Sequence, residues 1–188
     1  MVPLRRKASG FKRCSRPMKN IEHMGFRVPA LGLGTFPLQG EDCYRAVLWA
    51  LEIGYRHIDT AQLYGNEADV GRAIADSSLP RDEIFLTTKC GVYDATPGAV
   101  TAELTDSLGK LPTDYVDLWM LHWPNQDTPL DETLAAMAVQ RDAGLVRVLG
   151  VGNFTVALMR EAVETHGATL FTNQFENHPF LRQPIVEQ

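Results

Sequence analysis

Short apolar segments alternate with longer amphipathic segments along most of the chain, and this rhythm limits the possible folds. Segments that are apolar on both faces predict buried β-strands at residues 30–36, 56–60, 84–89, 116–122, 146–152 and 169–175. Helical periodicity predicts helices at residues 41–53, 67–76, 97–111, 131–143 and 155–165. Buried strands that alternate with helices form parallel sheets with right-handed crossovers, so we expect an open doubly wound sheet or a closed barrel.

Polar residues at the strand ends favour the barrel. Five successive predicted strands end in a polar or charged side chain, namely Asp59, Lys89, His122, Asn153 and Gln174. A barrel lines its mouth from every strand in turn, whereas an open sheet concentrates its site at one switch point. The sequence therefore predicts an α/β fold of the (β/α)8 TIM-barrel type, with about six of the eight strands preceded by a hairpin at residues 19–29.

The amino terminus differs in charge from the rest of the chain. The first 20 residues contain seven of the 18 Lys and Arg side chains and no acidic residue. Residues 1–18 are interpreted as a disordered basic leader in preference to a targeting presequence, and the barrel domain is assigned to residues 19–188. The chain beyond residue 20 has 11 basic and 23 acidic side chains, which argues against nucleic acid as a partner.

Other classes of site and location are disfavoured by what the sequence lacks. The three cysteines have no CxxC spacing, which favours a reducing, cytoplasmic location. No apolar run reaches the roughly 20 residues of a membrane span. The segment Gly32 to Thr35 lacks the third glycine of a dinucleotide fingerprint, and His57, His122 and His166 lack metal-ligand spacing. We therefore expect no metal, and His57 is interpreted as structural.

Four side chains suggest carbonyl chemistry if they converge at the barrel mouth: Asp59, Tyr64, Lys89 and His122. An ammonium beside a phenol favours the phenolate, so Lys89 is expected to lower the pKa of Tyr64. Asp59 would be the counterion of Lys89, and His122 would hydrogen-bond a substrate carbonyl oxygen. Any one of these residues alone is more simply a cap, a surface cation or a packed loop residue. Four on consecutive strands favour a site that polarises and protonates a C=O group.

These residues lie in longer motifs. GLGTF, GYRHIDTAQLYGNE, DYVDLWMLHWP, VGNF and NQFENHP, with a lysine at the end of the third strand, resemble the aldo-keto reductases. The resemblance extends from about residue 19 to residue 184. It implies a barrel enzyme that reduces aldehydes and ketones with NADPH, with Asp59, Tyr64, Lys89 and His122 as its catalytic tetrad. Tyr64 would protonate the carbonyl oxygen while hydride arrives from the cofactor.

The same resemblance implies the binding residues. Those expected to contact the cofactor are Gly34, Thr35, Asp59, Asn153 and Gln174, and those expected to contact substrate are Phe36, Tyr64, His122 and Trp123. The sequence departs from the family pattern at Gly152, where serine is usual, and at Asn177, where an aromatic residue is usual. Neither departure touches the tetrad.

The length of the sequence leads to a further set of expectations. The family barrel has eight strands, and the sixth predicted strand lies 13 residues before the last residue of this sequence. We therefore expect a C-terminally truncated reductase with open barrel edges, self-association through those edges, and weak or no binding of NADPH. Two alternatives are an inactive fragment or non-enzymatic binding protein on the same scaffold, and a lyase that forms a Schiff base on Lys89.

Overall fold

The computed structural model describes residues 18–181 and 183, so the predicted leader lies outside the described residues except for residue 18. The predicted hairpin is confirmed. It consists of β1 (Asn20–His23) and β2 (Phe26–Pro29), which pair antiparallel. Met24 and Gly25 form its turn with φ angles of 47° and 79°, the left-handed conformation that reverses a chain within two residues.

Within the described residues, the main sheet has six parallel strands in sequence order, as the alternation predicts. They are β3 (Leu33–Gly34), β4 (His57–Asp59), β5 (Phe85–Cys90), β6 (Val116–Leu121), β7 (Val146–Gly152) and β8 (Thr172–Gln174). Among the described residues, β3 and β8 have a strand partner on one side and form the two edges.

The sheet is strongly curled. In a flat sheet, the four strand spacings between β4 and β8 would separate these strands by about 19 Å. Instead, Gln174 Nε2 in β8 donates a hydrogen bond of 3.0 Å to Asp59 Oδ2 in β4. The six strands therefore form the wall of an incomplete barrel, with their carboxyl ends brought together at one mouth.

Five helices of the described part of the chain cover the outside of the sheet. They are α1 (Gly40–Ile53), α2 (Glu67–Asp76), α3 (Pro97–Lys110), α4 (Leu130–Asp142) and α5 (Val156–Arg160), and α5 continues as a π-helical turn, Glu161–Thr165. The sequence patterns missed two 3₁₀ turns, Gln62–Tyr64 and Arg81–Glu83. No helix in the described part of the chain combines the length and the apolar character that crossing a membrane requires.

The predicted edge strands are longer than the observed ones. Residues 30–36 were expected to form a strand, but only Leu33 and Gly34 pair, with Ile58 and Asp59 of β4. An edge strand cannot form a ladder longer than its single neighbour allows, and β4 has three residues. The strand predicted at residues 169–175 is likewise shortened to Thr172–Gln174.

Alternating side chains of the central strands build two apolar layers. Trp119 and Leu121 of β6 point to the helices, whereas Leu118 and Met120 point into the barrel. Phe26 and Val28 of the hairpin, together with Phe171, pack on the inner layer and cover the bottom of the barrel. The opposite end of the barrel, where the strands terminate, is left for the polar residues.

Candidate active site

The four predicted catalytic side chains do converge at the carboxyl ends of the strands. Asp59 is the last residue of β4, Lys89 lies in β5 next to its end, and His122 directly follows β6. Tyr64 ends the 3₁₀ turn Gln62–Tyr64, which leads from β4 into α2. Three parallel strands and one turn thus carry these side chains to one place.

Lys89 is the centre of the group. Its side chain is 1% exposed, and its Nζ pairs with Asp59 Oδ1 and donates a 2.9 Å hydrogen bond to the carbonyl oxygen of Thr60. The same Nζ lies 5.2 Å from the centroid of the Tyr64 ring. Burial lowers the pKa of Lys89, and the Asp59 carboxylate opposes that shift. Asp59 thereby fixes the position of the ammonium group beneath the phenol.

Tyr64 packs between two other rings. Its centroid lies 5.6 Å from that of His122 and 5.2 Å from that of Phe36. The prediction that Lys89 lowers the Tyr64 pKa is wrong for this structure, because burial and then the Asp59 carboxylate raise it to about 12. Asp59 carries the counter-charge of Lys89 and so cancels much of its effect on the phenol. Tyr64 therefore keeps its proton at neutral pH.

His122 is held by its main chain and is neutral at physiological pH. Burial, with the nearby Lys89 charge, lowers its pKa to about 4. Its backbone N–H donates to the Cys90 carbonyl oxygen at 2.9 Å, which extends the β5–β6 ladder by one residue. Its Nδ1 is buried and has no hydrogen-bond partner in the described part of the chain.

Asn153 and Gln174 lie side by side at the ends of β7 and β8. The Asn153 backbone N–H donates to the Gln174 carbonyl oxygen at 2.8 Å. Asn153 Nδ2 donates to the His122 carbonyl oxygen at 3.1 Å, and Gln174 Nε2 donates to Asp59 as described above. Both amide side chains are thus oriented by residues of the catalytic group. Asn153 has a φ of 61°, a conformation that asparagine tolerates better than most residues.

The backbones of β6 and β7 come unusually close beside His122. A Cβ atom placed on Gly152 would lie closer than 3.0 Å to the carbonyl oxygen of His122, a separation that real Cβ atoms essentially never show. This observation gives a physical reason for glycine at a position where the family pattern has serine.

The other predicted binding residues surround the mouth more loosely. Thr35 is fully buried and its Oγ1 has no partner among the described residues, while Gly34 pairs with Asp59 at the edge strand. Phe36 and Trp123 are 69% and 50% exposed. Phe36 contacts the Tyr64 ring, whereas Trp123 forms no ring contact with the tetrad in the described part of the chain.

Sequence reasoning missed two residues that hold the turn of Tyr64. Gln39 Nε2 donates to the Tyr64 carbonyl oxygen at 2.6 Å. Asn66 is fully buried and bonds to Thr35, Leu38 and Thr60. An asparagine directly before a helix is normally interpreted as a cap, so nothing in the sequence separates this role from the ordinary one. No cluster of metal-ligating side chains occurs among the residues that the structure describes.

Comparison with known proteins agrees with the motifs. Residues 30–188 match the family model described as the aldo/keto reductase family. The methylglyoxal reductase DkgB of Escherichia coli O157:H7 is 45% identical over 162 residues, which are 85% of this chain and 61% of that protein. An aldo-keto reductase of Mycobacterium avium is 42% identical over 86% of this chain and 57% of its own length. The chain thus spans about three fifths of the curated relatives that it matches.

Solved structures show the same fold. A crystal structure of an aldo/keto reductase from Brucella melitensis matches with a TM-score of 0.86 at 38% identity, over 90% of this chain and 66% of that one. The Bombyx mori aldo-keto reductase in complex with NADP matches with a TM-score of 0.83 at 33% identity, over 92% and 63% of the respective chains. The predicted barrel type is therefore confirmed, with six of its strands within the described residues.

Proposed function

The chain belongs to the aldo/keto reductase family, and from this premise we propose that it reduces aldehydes or ketones to alcohols with Tyr64 as the proton donor. The cofactor is proposed to be NADPH, which supplies the hydride when bound. Hydride addition to the carbonyl carbon pushes the π electrons onto the oxygen. That oxygen takes the phenolic proton, which leaves a negative charge on Tyr64 that the site must stabilise.

The observation that carries this proposal is the buried Lys89 ammonium 5.2 Å from the Tyr64 ring. A phenol that keeps its proton at neutral pH is a suitable acid only if its conjugate base is stabilised as it forms. A fixed ammonium beneath the ring supplies such stabilisation without reorganising during the reaction. Neutral His122, whose ring packs against that of Tyr64, can hydrogen-bond the substrate oxygen and hold it near the phenol.

The amides at the barrel mouth fit a nicotinamide carboxamide. Asn153 and Gln174 donate from their side-chain N–H groups to the His122 carbonyl oxygen and to Asp59, and an amide oxygen can accept from the carboxamide. The buried Thr35 Oγ1, which has no partner among the described residues, lies in the segment after β3 at the same mouth. Gly34 carries no side chain, and no atom lies within 4 Å of where its Cβ would be. These residues are proposed as cofactor contacts, with Asp59 beside them.

Small carbonyl compounds are the proposed substrates, with methylglyoxal as the first candidate because of the E. coli relative. The exposed rings of Phe36 and Trp123 offer apolar surface beside Tyr64 and His122. Such surface with few polar groups suits compact substrates that are recognised mainly through their carbonyl oxygen. A cytoplasmic location belongs to the same proposal; both cysteines that the structure describes, Cys43 and Cys90, are buried and free.

The two alternatives are less well supported. A non-enzymatic scaffold would have no need of a buried lysine paired to an aspartate beneath a tyrosine. A Schiff-base lyase requires a lysine nitrogen with a free lone pair, and Lys89 Nζ donates to both Asp59 and the Thr60 carbonyl oxygen. Borohydride trapping of substrate on Lys89 would revive the lyase proposal.

The test is NADPH oxidation at 340 nm with methylglyoxal, using the chain and its Tyr64→Phe variant at a high NADPH concentration, since the sequence predicts weak binding of NADPH. We expect turnover to fall by at least about 100-fold, because general acid catalysis typically contributes that much or more. Tyr44→Phe is the matched control, since the Tyr44 hydroxyl donates to Asp76 on the exterior of the barrel. Absence of turnover by a folded wild-type chain, or full activity of Tyr64→Phe, would contradict the proposal.

Self-association through the open edges is also a proposal. Among the described residues, the edges β3 and β8 have two and three residues and a strand partner on one side only, so each offers a short row of backbone groups for pairing. Light scattering behind size-exclusion chromatography measures the outcome, and a strictly monomeric chain across concentrations would contradict it.

A further inference from the structure

Asn66 occupies the N-cap position of α2 but does not cap the helix. Its side chain makes no hydrogen bond to the first turn of α2, although asparagine is among the residues that most often do so. Instead the side chain turns inward and is 0% exposed. A buried amide has to find its partners elsewhere, and its partners here are in the segments that carry the catalytic group.

Three hydrogen bonds tie the Asn66 amide to two other parts of the chain. Its Oδ1 accepts from Thr60 Oγ1 at 2.8 Å. Its Nδ2 donates to the carbonyl oxygens of Thr35 at 3.2 Å and Leu38 at 2.9 Å. The amide therefore joins the end of β4 and the segment after β3 to the turn Gln62–Tyr64, which lies just before Asn66.

Each of these contacts lies next to a residue of the proposed reaction. Thr60 follows Asp59, and the Thr60 carbonyl oxygen accepts a hydrogen bond from Lys89 Nζ. Thr35 and Leu38 bracket Phe36, whose ring packs on Tyr64. Asn66 itself lies two residues after Tyr64. One amide thus sets the relative placement of the ammonium, its carbonyl acceptor and the phenol.

We propose that Asn66 is a positioning residue that holds the turn of Tyr64 against the Lys89 ammonium by way of Thr60 and the segment after β3. Asn66 touches neither substrate nor cofactor in this role. The inference rests on the proposed function, in which the Lys89 ammonium must lie close to the Tyr64 phenol.

Two substitutions separate the parts of this arrangement. Thr60→Val removes the hydroxyl that donates to Asn66 and keeps the shape of the side chain, and Asn66→Ala removes all three bonds. Thr133→Val is the matched control, because Thr133 is equally buried and its Oγ1 donates to the Ala95 carbonyl oxygen at 2.7 Å, away from the tetrad. Thr60→Val also guards against failure of Asn66→Ala to fold.

The first readout does not depend on activity. The chain has five tyrosines, and selective ¹³Cζ labelling with Tyr64→Phe for assignment isolates the Tyr64 signal during a pH titration by NMR. If Asn66 pins the turn, its loss lets water reach the phenol, and the pKa of Tyr64 falls from about 12 toward its ordinary value by at least one pH unit. Thr133→Val should leave the titration unchanged.

The second readout is the steady-state kinetics of the full chain. A positioning role predicts that kcat falls at least tenfold in Asn66→Ala with KM within twofold, and that the same substitution adds nothing in the Tyr64→Phe background. An unchanged Tyr64 titration in both Thr60→Val and Asn66→Ala would overturn the inference, as would an effect of equal size in Thr133→Val. A wild-type chain that shows no turnover would refute the proposed function, while the titration would still decide the role of Asn66.

Discussion

Replacing Gly152 by serine should destabilise the fold, because the space beside this residue is already filled by the backbone of His122, directly after β6. A Cβ atom there would lie closer than 3.0 Å to the carbonyl oxygen of His122, and a backbone atom cannot swing aside as a long side chain can. The strand ends must separate to admit the new atoms. That movement also stretches the hydrogen bond from Asn153 Nδ2 to the same oxygen, now 3.1 Å.

The magnitude follows from these two contacts. Overpacking of a filled site typically costs about 1–3 kcal/mol, and loss of one hydrogen bond about 1 kcal/mol. The free energy of unfolding should therefore fall by roughly 2–4 kcal/mol in Gly152→Ser. For a chain of this size the corresponding drop in Tm is on the order of 5–15 °C.

Calorimetry or thermal circular dichroism of purified variants measures this drop. Gly152→Ala separates the effect of Cβ from that of the hydroxyl and should account for most of the loss. Gly109→Ala, in α3 with no atom within 4 Å of the new Cβ, is the control. Alanine is the better helix former, so this control should raise stability by up to about 1 kcal/mol. A Gly152→Ser protein that melts with the wild type would refute the close approach of β6 and β7.

Three further outcomes are expected. Acid should weaken the fold through His122, because the pKa of His122 falls from 6.5 to about 4 on folding and the unfolded chain therefore binds an extra proton as the pH drops. Between pH 7 and pH 4 this lowers the free energy of unfolding, measured by urea titration, by about 3 kcal/mol. His122→Gln should remove that part of the pH dependence. Asp117→Ala should cost about 3 kcal/mol in the same assay, since it leaves Arg81 and Arg147 without their shared, nearly buried counterion; a loss below about 1 kcal/mol would contradict this. Lys89→Met should lower turnover at least about 100-fold in the NADPH assay while the protein stays folded by circular dichroism, and retained turnover would remove the ammonium from the proposed mechanism.

The sequence predicted elements whose signals are local. Strand β7 and helix α2 were predicted with their observed bounds, and Pro97 marks the start of α3 as expected from its fixed φ. The length of the edge strand β3 was overestimated. Apolar character at residues 30–36 indicates burial, whereas the length of a strand depends on the neighbouring strand with which it pairs.

The candidate site likewise has features that the sequence predicts and features that it does not. Residue type and position were enough to predict that four side chains lie together, with Asp59, Lys89 and His122 at strand ends and Tyr64 in the turn after β4. The direction of the Tyr64 pKa was not predictable, since it depends on which neighbour neutralises Lys89 and how much water reaches the ring. The buried orientation of the Asn66 side chain was equally unpredictable, because an asparagine that caps a helix and one that hydrogen-bonds to neighbouring segments occupy the same place in a sequence.

The strand order also bears on how the chain acquires its structure during synthesis. Each strand from β3 to β8 is hydrogen-bonded to the strand that precedes or follows it in sequence, so the sheet can grow at one edge as a ribosome delivers the chain. Contacts that join distant parts, His23 with Phe171 and Asp59 with Gln174, involve β8 and the residue before it, the last strand region among the described residues. Low sequence separation favours rapid assembly of the early strands. The contact of His23 with Phe171 and the cross-mouth bond to Asp59 then form after the earlier strands have paired, so a nascent chain would hold Lys89 and Asp59 together before Gln174 has been translated.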